Sequence, residues 1–513
     1  MNPVELSIFA NRLNAVCDEM GAVLQRAAFS PNIRDRLDFS CAVFDAEGDL
    51  CAQAAHIPVH LGSMAYAMRD IVKNVVWQAG DMVVVNDPFL GGTHLPDVTL
   101  IAPVFESGQL VGFVVNRAHH ADIGGYTPGS MPISQTLEEE GIVIPPQHLL
   151  RGGELNQPLM QEILGATRNQ QIGQGDFAAQ ISANKTGVKR LGRLIALLGI
   201  DAYTSALVAL NEYGERLARS VLADIPPGSY AFEDYMDDDG LGHTRLPIRL
   251  QLSIDQNGVT ADFSGTAAQT AGNINCPLSV VAAAVYYVFR CLMPPQTPAC
   301  AGTFRPITLF APPGSLLNAQ RPAAVAAGNV ETSTRIVDVV MGALANAIPK
   351  AMPAASHGSM NNLAMGGTHN GQFWDYYETM GGGMGAGCRY PGLSAVQTHM
   401  TNTRNTPIEV MESSYPIRVR EYAIRTGSAG SGQHPGGEGL CREFEFLSGA
   451  TVTLLSERRL LAPWGVQGGK AARPGANWLN ERPLPGKVCC QVSSGDILRI
   501  ETAGGGGWGK DAA

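Results

Sequence analysis

The apolar positions of the N-terminal stretch recur every three or four residues, as they do on the buried face of an amphipathic helix. From Leu6 to Leu24 this spacing predicts a helix over residues 3–28, and Pro3 suits its first turn. The same period predicts further helical stretches along the chain. They cover residues 63–77, 155–222, 278–292 and 332–347.

Shorter apolar runs between turn residues predict β-strands. Three hairpins are predicted in this way, over residues 41–54, 98–116 and 246–263. The last of them alternates between apolar and polar side chains and turns at Asn257-Gly258, a dipeptide typical of hairpin turns. From residue 349 onward the chain is rich in turns, and we predict that it is mostly β.

The length of the chain and the changes in its period predict several domains. A chain of 513 residues is too long for one hydrophobic core, and the period changes after Pro226-Pro227. We therefore predict an α+β, multidomain protein with mixed helical and β-rich layers. The predicted domains are an N-terminal α+β domain at 1–225, an α+β middle domain at 226–348 and a β-rich, glycine-rich C-terminal domain at 349–513.

Composition narrows the class of protein. Charged residues make up 16% of the chain and the net charge is −10. A nucleic-acid-binding protein needs a basic face, so we expect no nucleic-acid partner. No uncharged apolar run reaches the roughly 18 residues of a membrane-spanning helix, so we expect no membrane partner. The ten cysteines form no CxxC pair, and the N-terminus shows no signal peptide. We therefore expect reduced thiols and a cytoplasmic location.

Side chains that can bind a metal or move a proton gather at the ends of the second predicted hairpin. His94, Asp97, His119, His120 and Asp122 fall within 29 positions. Three protein ligands with one position left for water are the catalytic arrangement of a divalent metal site. Because neighbours on a strand point to opposite faces, only one of the two adjacent histidines is expected to bind the ion. The competing interpretation is that these polar residues cap strand ends.

Asp38 is a candidate of a different kind. It follows two arginines and another aspartate, and it stands just before the first predicted hairpin. Alternating charges of this kind favour an ion-paired surface loop. The alternative is a carboxylate at the rim of the metal site, where it could orient water or take a proton.

The glycine strings at 381–383 and 504–507 raise the question of a nucleotide site. They are typical of turns, and no G-x-x-x-x-G-K-[ST] phosphate-binding loop occurs in the chain. No G-x-S-x-G motif supports serine hydrolase chemistry either. We therefore predict that this chain has no ATP site of its own.

Several short motifs occur together, and their combination is far more specific than any one alone. They include Arg36-Leu-Asp-Phe-Ser40, Gly92-Thr-His-Leu-Pro-Asp97, Arg117-Ala-His-His-Ala-Asp122, Asp262-Phe-Ser-Gly265 and Gly328-Asn-Val-Glu-Thr332. With these motifs, nearly the whole chain resembles the hydantoinase B/oxoprolinase family. That family supplies the B-type half of ATP-dependent cyclic-amide hydrolases and of related ketone carboxylases. One departure is Pro435, where the family commonly has arginine before a Gly-Gly pair.

The resemblance implies a division of labour between two subunits. An actin-like A-type ATPase would phosphorylate the carbonyl oxygen of a cyclic amide, and the B-type subunit would direct metal-activated water at the intermediate. The implied ligands are His94, Asp97 and His119, with Asp38 close to the metal as a further ligand or as a base. The other candidates for moving protons are Asp122 and His120. Two histidines with a carboxylate suit Zn, Mn or Fe alike.

The predicted function is thus the metal-dependent B-type subunit of an ATP-dependent hydrolase that opens hydantoin, 5-oxoproline or lactam rings. The partner would use the ATP, in a hetero-oligomer such as α2β2. The alternative is a subunit of an ATP-dependent ketone carboxylase, which would trap an activated enol with carbon dioxide or bicarbonate. Hydrolysis is favoured because carboxylase chains of this type tend to be longer. A non-catalytic scaffold would leave the metal cluster unexplained.

Overall fold

The computed structural model describes residues 2–54 and 57–510. In the first part of the chain, helices α1 to α7 are Pro3–Ala27, Pro31–Arg34, Pro58–Asn74, Leu137–Glu140, Gln157–Ala166, Gln170–Leu198 and Ile200–Ala223. Strands β1 to β7 are Phe39–Phe44, Leu50–Gln53, Met82–Val85, Asp97–Glu106, Gln109–His119, Gln147–Arg151 and Glu154–Leu155. Helix α1 begins at a capping box, in which Asn2 and Glu5 each accept a hydrogen bond from the other's backbone N–H.

Strands β1 to β7 form one antiparallel sheet in the order β2-β1-β5-β4-β3-β6-β7. Helices α1 and α6 pack on one of its faces, and α3 packs on the other. Every residue of β1 and β3 is buried. Because both faces of this sheet are covered, its central strands are continuous apolar runs without alternation.

The middle part of the chain contains a smaller sheet packed on helices. Strands β8 to β11 are Gly228–Asp238, Thr244–Asp255, Gly258–Asp262 and Ile307–Phe310, and helices α8 and α9 are Leu278–Leu292 and Ser333–Ala347. The strand order is β11-β10-β9-β8. From Ile248 to Ile254, β9 buries every second side chain and exposes the others. This alternation follows because α9 covers one face of the sheet and water the other.

The last part of the chain is mostly β, as predicted. Strands β12 to β20 are Asn362–His369, Gln372–Glu378, Ile417–Arg425, Gly439–Phe446, Ala450–Leu455, Ala476–Leu479, Arg482–Leu484, Lys487–Val492 and Ile497–Glu501, with helix α10 at Ile408–Ser414. They form two sheets, in the orders β13-β12-β16-β19 and β14-β15-β20-β17-β18. Both sheets contribute to one core, which joins Leu363 of β12 to Phe444 of β15 and Leu498 of β20.

The glycine run at 504–507 packs against neighbouring backbone instead of forming the predicted turn. The N–H of Gly505 donates to the carbonyl oxygen of Gly437 over 2.9 Å. A Cβ atom added at Gly505 would lie 2.0 Å from the carbonyl oxygen of Met384. Glycine is therefore required here because only a residue without a side chain allows so close an approach of two backbones.

The architecture confirms the predicted α+β class, the multidomain organisation and the β-rich C-terminal part. Helix α3 begins at Pro58, not near residue 63 as the spacing predicted. The domain bounds at 1–225, 226–348 and 349–513 stay a prediction. Among the described residues, no single helix is long and apolar enough to cross a membrane, and only α6 and α7 taken together, bent by 105° between them, pass that test.

Candidate metal centre

The candidate cluster lies where β4 begins and β5 ends. Asp97 opens β4 and pairs directly with His119, the last residue of β5. Directly opposed residues of antiparallel strands place their side chains on the same face. His94 reaches this face from the loop before β4, in a turn closed by a 3.1 Å hydrogen bond from Asp97 N–H to the His94 carbonyl. The structure thus brings together three of the predicted site residues.

One oxygen of Asp97 lies at the centre of the cluster. Asp97 Oδ1 is 3.2 Å from His94 Nε2 and 3.5 Å from His119 Nδ1. The ligand atoms of the three residues all lie within 4.8 Å of one another. All three side chains are buried. Two imidazoles and a carboxylate at these separations are a donor set that one divalent ion can use.

The two atoms that face the centre of the cluster, His94 Nε2 and Asp97 Oδ1, lie 3.2 Å apart but make no hydrogen bond of normal geometry to the described residues. His94 Nδ1 lies 3.3 Å from the carbonyl oxygen of Ala326, so its Nε2 faces Asp97. Thr93 Oγ1 and Asn329 Nδ2 donate to Asp97 Oδ2, over 2.5 and 3.2 Å. In the described part of the chain, His94 Nε2 and Asp97 Oδ1 are buried without a hydrogen-bond partner. Because buried polar atoms are nearly always paired, these two atoms fit a metal ion.

The electrostatics of Asp97 and His119 also suit a cation. Burial would raise the pKa of Asp97, but the neighbouring His60 and His94 outweigh it and hold that pKa well below its usual range. Burial lowers the pKa of His119, which favours its neutral imidazole. For His94, burial acts in the same direction, but the Asp97 carboxylate outweighs it and leaves the pKa raised. Asp97 and His119 are thus in the ionised and neutral forms that metal binding requires, whereas His94 would release its proton when an ion binds.

Asp38 lies beside the cluster, just before β1. Its carbonyl accepts a 3.0 Å hydrogen bond from His119 N–H. Its Oδ2 is 3.8 Å from His119 Nδ1 and 3.7 Å from Arg36 Nη2. With 6% of its surface exposed, Asp38 is not part of an ion-paired surface loop. The distance of the Asp38 carboxylate from the three clustered side chains fits a base or an orienting group at the edge of the cluster. It also fits a ligand that moves inward when an ion binds.

His60 is a site residue that the sequence analysis missed. Helix α3 begins at Pro58, before the predicted start at residue 63, so His60 lies in its first turn. His60 Nε2 is 3.2 Å from Asp97 Oδ2 and 3.9 Å from Asp38 Oδ1. The signal that could have found it is Pro58, because proline is favoured at the first position of a helix. His56, which precedes it in the sequence, lies outside the described residues.

Tyr377 closes the cluster from the C-terminal part of the chain. It lies on β13, and its ring stacks on the His119 imidazole with centroids 4.7 Å apart and planes 3° from parallel. Arg36 Nη1 donates to the Tyr377 carbonyl over 3.0 Å, and its guanidinium lies 4.9 Å from the centre of the tyrosine ring. No sequence motif marks this contact, because the two regions meet only through tertiary packing.

The structure does not bring His120 or Asp122 into the cluster. His120 follows β5 on the opposite face, and its Nε2 lies 2.9 Å from Gln180 Oε1. Asp122 accepts hydrogen bonds from Ser130 Oγ over 2.9 Å and from Arg168 Nη1 over 3.0 Å. Because neighbouring side chains on a strand alternate between its faces, His120 points away from the cluster. The bend after β5 directs Asp122 away from it. Both residues hold neighbouring segments in place.

Known structures share this architecture. The ATP-dependent caprolactamase from Pseudomonas jessenii superposes with a TM-score of 0.91, at 26% identity, over 99% of this chain and 91% of that one. The fold of this chain is therefore caprolactamase-like. An acetone carboxylase superposes with a TM-score of 0.90 over 99% of this chain and 76% of its own, and at 18% identity that similarity shows the fold alone.

The family model of Hydantoinase B/oxoprolinase matches residues 2–511, and the chain belongs to this family. The resemblance predicted from the motifs is thereby confirmed. The 5-oxoprolinase of Dictyostelium discoideum is similar in sequence, with 38% identity over 525 residues. The match covers 99% of this chain and 40% of the relative. The chain thus spans about two-fifths of the length of that 5-oxoprolinase.

Proposed function

We propose that this chain is the metal-dependent B-type part of an ATP-dependent cyclic-amide hydrolase, which opens a hydantoin, 5-oxoproline or lactam ring. The observation that carries the proposal is the convergence of two buried histidines on an oxygen of Asp97 that has no hydrogen-bond partner among the described residues. A caprolactamase and a 5-oxoprolinase are both named for cyclic amides, and similarity to them supports this substrate class.

The proposed ligands of the ion are His94, Asp97 and His119. Two histidines and one carboxylate suit Zn, Mn or Fe alike. When bound, such an ion lowers the pKa of water to about 7 and polarises the oxygen under attack. The hydrogen bonds from Thr93 and Asn329 hold the other oxygen of Asp97, so the carboxylate is oriented before the ion arrives.

Asp38 is the proposed base. Its carboxylate faces the cluster from the edge, where it can accept a proton from the attacking water. His60 is the proposed positioning residue, because its Nε2 lies 3.9 Å from Asp38 Oδ1 and 3.2 Å from Asp97 Oδ2. It can hold the carboxylates of Asp38 and Asp97 apart and keep both directed at the proposed metal site.

An A-type ATPase subunit is the proposed partner, in a hetero-oligomer such as α2β2. It would phosphorylate the carbonyl oxygen of the ring and so create a leaving group on an otherwise inert amide. This chain has no phosphate-binding loop. It also matches only 40% of the length of the 5-oxoprolinase, which supports a division of the activity between this chain and a further one.

The test is to measure metal content and ring opening on the same preparation. We expect elemental analysis to find about one divalent ion per chain. Product should form from 5-oxoproline, hydantoins or lactams only when an A-type subunit and ATP are both present, and the chain alone should neither bind nor hydrolyse ATP.

Two outcomes would overturn the proposal. Full ring-opening activity in a metal-free preparation would remove the metal from the mechanism. Turnover of an aryl ketone with bicarbonate, without opening of any ring, would identify a carboxylase instead.

A further inference from the structure

The three proposed ligands differ in what orients their side chains. The His94 imidazole is oriented through Nδ1, which lies 3.3 Å from the Ala326 carbonyl oxygen, and Asp97 Oδ2 accepts two hydrogen bonds. In the His119 imidazole, Nδ1 faces Asp97 Oδ1 over 3.5 Å, and Nε2 has no hydrogen-bond partner among the described residues. The orientation of His119 therefore depends on packing.

Tyr377 provides that packing. Its ring stacks on the His119 imidazole with centroids 4.7 Å apart and planes 3° from parallel, so the plane of one ring fixes the plane of the other. The Tyr377 hydroxyl donates a 2.7 Å hydrogen bond to Asn362 Oδ1, and Asn362 Nδ2 donates over 2.7 Å to Glu331 Oε1. All four side chains are buried. A continuous path of contacts thus leads from Glu331 to a proposed metal ligand.

Glu331 is held in place by its surroundings. It lies in a π-helical turn, Gly328–Thr332, a type of turn that occurs frequently at functional sites. A Cβ atom added at Gly328 would lie 1.8 Å from the Asn275 carbonyl oxygen, so the turn packs closely against neighbouring backbone. Glu331 Oε1 also accepts a 2.9 Å hydrogen bond from Met360 N–H. Burial raises the pKa of Glu331 to about 8, so its carboxyl group is mostly neutral at pH 7.

The segment that carries Glu331 also reaches the other two ligands. The Ala326 carbonyl oxygen faces His94 Nδ1, and Asn329 Nδ2 donates to Asp97 Oδ2 over 3.2 Å. The segment thus contacts two of the ligands directly and the third through two intermediate side chains. It supplies no proposed ligand, yet it is connected to all three.

We propose that Glu331 and Tyr377 are positioning residues of the metal centre, which act through Asn362 to hold the His119 imidazole towards Asp97. The proposal rests on the proposed function, because it concerns the same metal centre. It adds residues of the middle and last parts of the chain to a site whose proposed ligands all lie in the first part. When the path is broken at either end, the Tyr377 ring should tilt, and the His119 imidazole should tilt with it.

The first experiment measures the affinity of the full chain for Zn²⁺ by competition with a chromophoric chelator. Tyr377→Phe keeps the aromatic ring and removes only the hydroxyl group that bonds Asn362. We expect the Kd for Zn²⁺ to rise about tenfold, the lower end of the effect of losing a group that supports a metal ligand. The visible absorption bands of bound Co²⁺ should also shift, because they depend on the geometry of the ligands.

The matched control is Tyr376→Phe. Tyr376 precedes Tyr377 on β13, is similarly buried and donates its hydroxyl to Glu378 Oε2 over 2.8 Å. Neighbouring side chains on a strand point to opposite faces, so Tyr376 does not face the cluster. Each variant loses one buried hydroxyl hydrogen bond, so a general loss of stability would affect both alike. Tyr376→Phe should keep the Kd for Zn²⁺ within about twofold of the parent and leave the Co²⁺ spectrum unchanged.

The other end of the path is tested at Glu331. Glu331→Ala removes the acceptor of Asn362 and should weaken Zn²⁺ binding about as much as Tyr377→Phe. Glu331→Gln keeps a neutral group with an oxygen acceptor, so it should restore the parental affinity. Glu331→Ala combined with Tyr377→Phe should bind no more weakly than either single variant, because both break the same path. If Glu331→Ala does not fold, the comparison of Tyr377→Phe with Tyr376→Phe decides.

The proposal is overturned if Tyr377→Phe binds Zn²⁺ as tightly as the parent, if Tyr376→Phe weakens binding equally, or if the effects of Glu331→Ala and Tyr377→Phe add. A parent chain that binds no ion overturns this proposal and the proposed function together. Ring opening with the partner subunit is scored separately. Metal-dependent ring opening by a parent chain whose Zn²⁺ affinity does not depend on Tyr377 would keep the proposed function and end this proposal. A Tyr377-dependent ion in a chain that opens no ring would do the reverse.

Discussion

The two sides of the end of β5 carry the same residue type in opposite surroundings. His119 faces Asp97 and stacks on Tyr377, and its Nε2 has no hydrogen-bond partner among the described residues. His120 packs on Phe177 with ring centroids 4.6 Å apart, and its Nε2 is 2.9 Å from Gln180 Oε1. One strand end therefore holds a candidate ligand on one face and a structural histidine on the other.

The difference lies in how the buried polar groups are satisfied. On the His120 face, Gln180 Nε2 donates to the Val98 carbonyl and to Asn116 Oδ1, both over 2.9 Å, so the amides bind one another and the strands. On the His119 face, His94 Nε2 and Asp97 Oδ1 lie 3.2 Å apart, yet neither makes a hydrogen bond to the described residues. Burial alone does not distinguish a functional histidine from a structural one, whereas unpaired atoms that point at a common centre do.

The largest effect should come from removing a ligand on the His119 face. We expect His94→Ala to lower the affinity for the ion by more than about 100-fold, because a lost ligand costs more than a lost supporting contact. Ring opening should disappear with the metal. The measurement is elemental analysis after dialysis, with His120→Gln from the opposite face as the matched variant that keeps its ion. Equal metal content in His94→Ala and the parent would contradict the assignment.

A smaller and different effect is expected at the edge of the cluster. Asp38→Asn should keep the fold and the ion, because Asp38 lies 3.8 Å from His119 and outside the set of three ligands. The amide cannot accept a proton, so product formation should fall by roughly 10²–10⁴-fold. Metal content and rate must be measured on one sample. Loss of the ion together with activity would make Asp38 a ligand, and a normal rate would remove it from the mechanism.

The residue pattern placed the three proposed ligands among its candidates because their proximity is local, and the family resemblance implied the set itself. His94, Asp97 and His119 belong to one hairpin and its entrance, and the pairing of β4 with β5 is enough to join them. His60 and Tyr377 could not be found in this way. They reach the cluster on a helix and on a strand of another sheet, so only the packing of distant elements places them there.

The fold shows the same limit. Apolar runs and helical spacing predicted the hairpins and the long helices, since these patterns reflect local burial. The order of the seven-stranded sheet was not predicted, because β1 pairs with β5 and β3 with β6 across long stretches of chain. The sequence likewise did not determine which face of the sheet each side chain at a strand end points to. His120 and Asp122 therefore remained candidates until the structure showed their hydrogen-bond partners.

The next prediction concerns stability on the His120 face. His120→Ala should leave Gln180 Oε1 unpaired and open a void beside Phe177, which together cost about 2–4 kcal/mol of the free energy of unfolding. Metal content and ring opening at low temperature should not change. Denaturant unfolding followed by fluorescence gives the first quantity, and elemental analysis the second. Loss of the ion in this variant would mean that the two faces are not independent.

The smallest effect is expected at Asp122, the carboxylate on the chain just beyond β5. It accepts hydrogen bonds from Ser130 Oγ and from Gly124 N–H, both over 2.9 Å, and it pairs with Arg168, whose side chain is 29% exposed. Asp122→Asn keeps one oxygen acceptor, but it loses the charge opposite Arg168 and the second oxygen, which accepts a 2.6 Å hydrogen bond from Arg168 N–H. Because the ion pair is partly screened by water and one backbone N–H loses its acceptor, we expect a loss of about 1–2 kcal/mol in the free energy of unfolding.

Asp122→Asn also provides the direct counterpart of Asp38→Asn. Both replace a nearly buried carboxylate close to the end of β5 by an amide of the same shape, but only Asp38 has its carboxylate beside the ligands. The rate of ring opening in Asp122→Asn should therefore stay within about twofold of the parent, against a fall of roughly 10²–10⁴-fold for Asp38→Asn. If instead Asp122→Asn keeps its ion and loses activity to that extent, the base is Asp122. The cluster would then identify the residues that bind the ion but not the residue that accepts the proton.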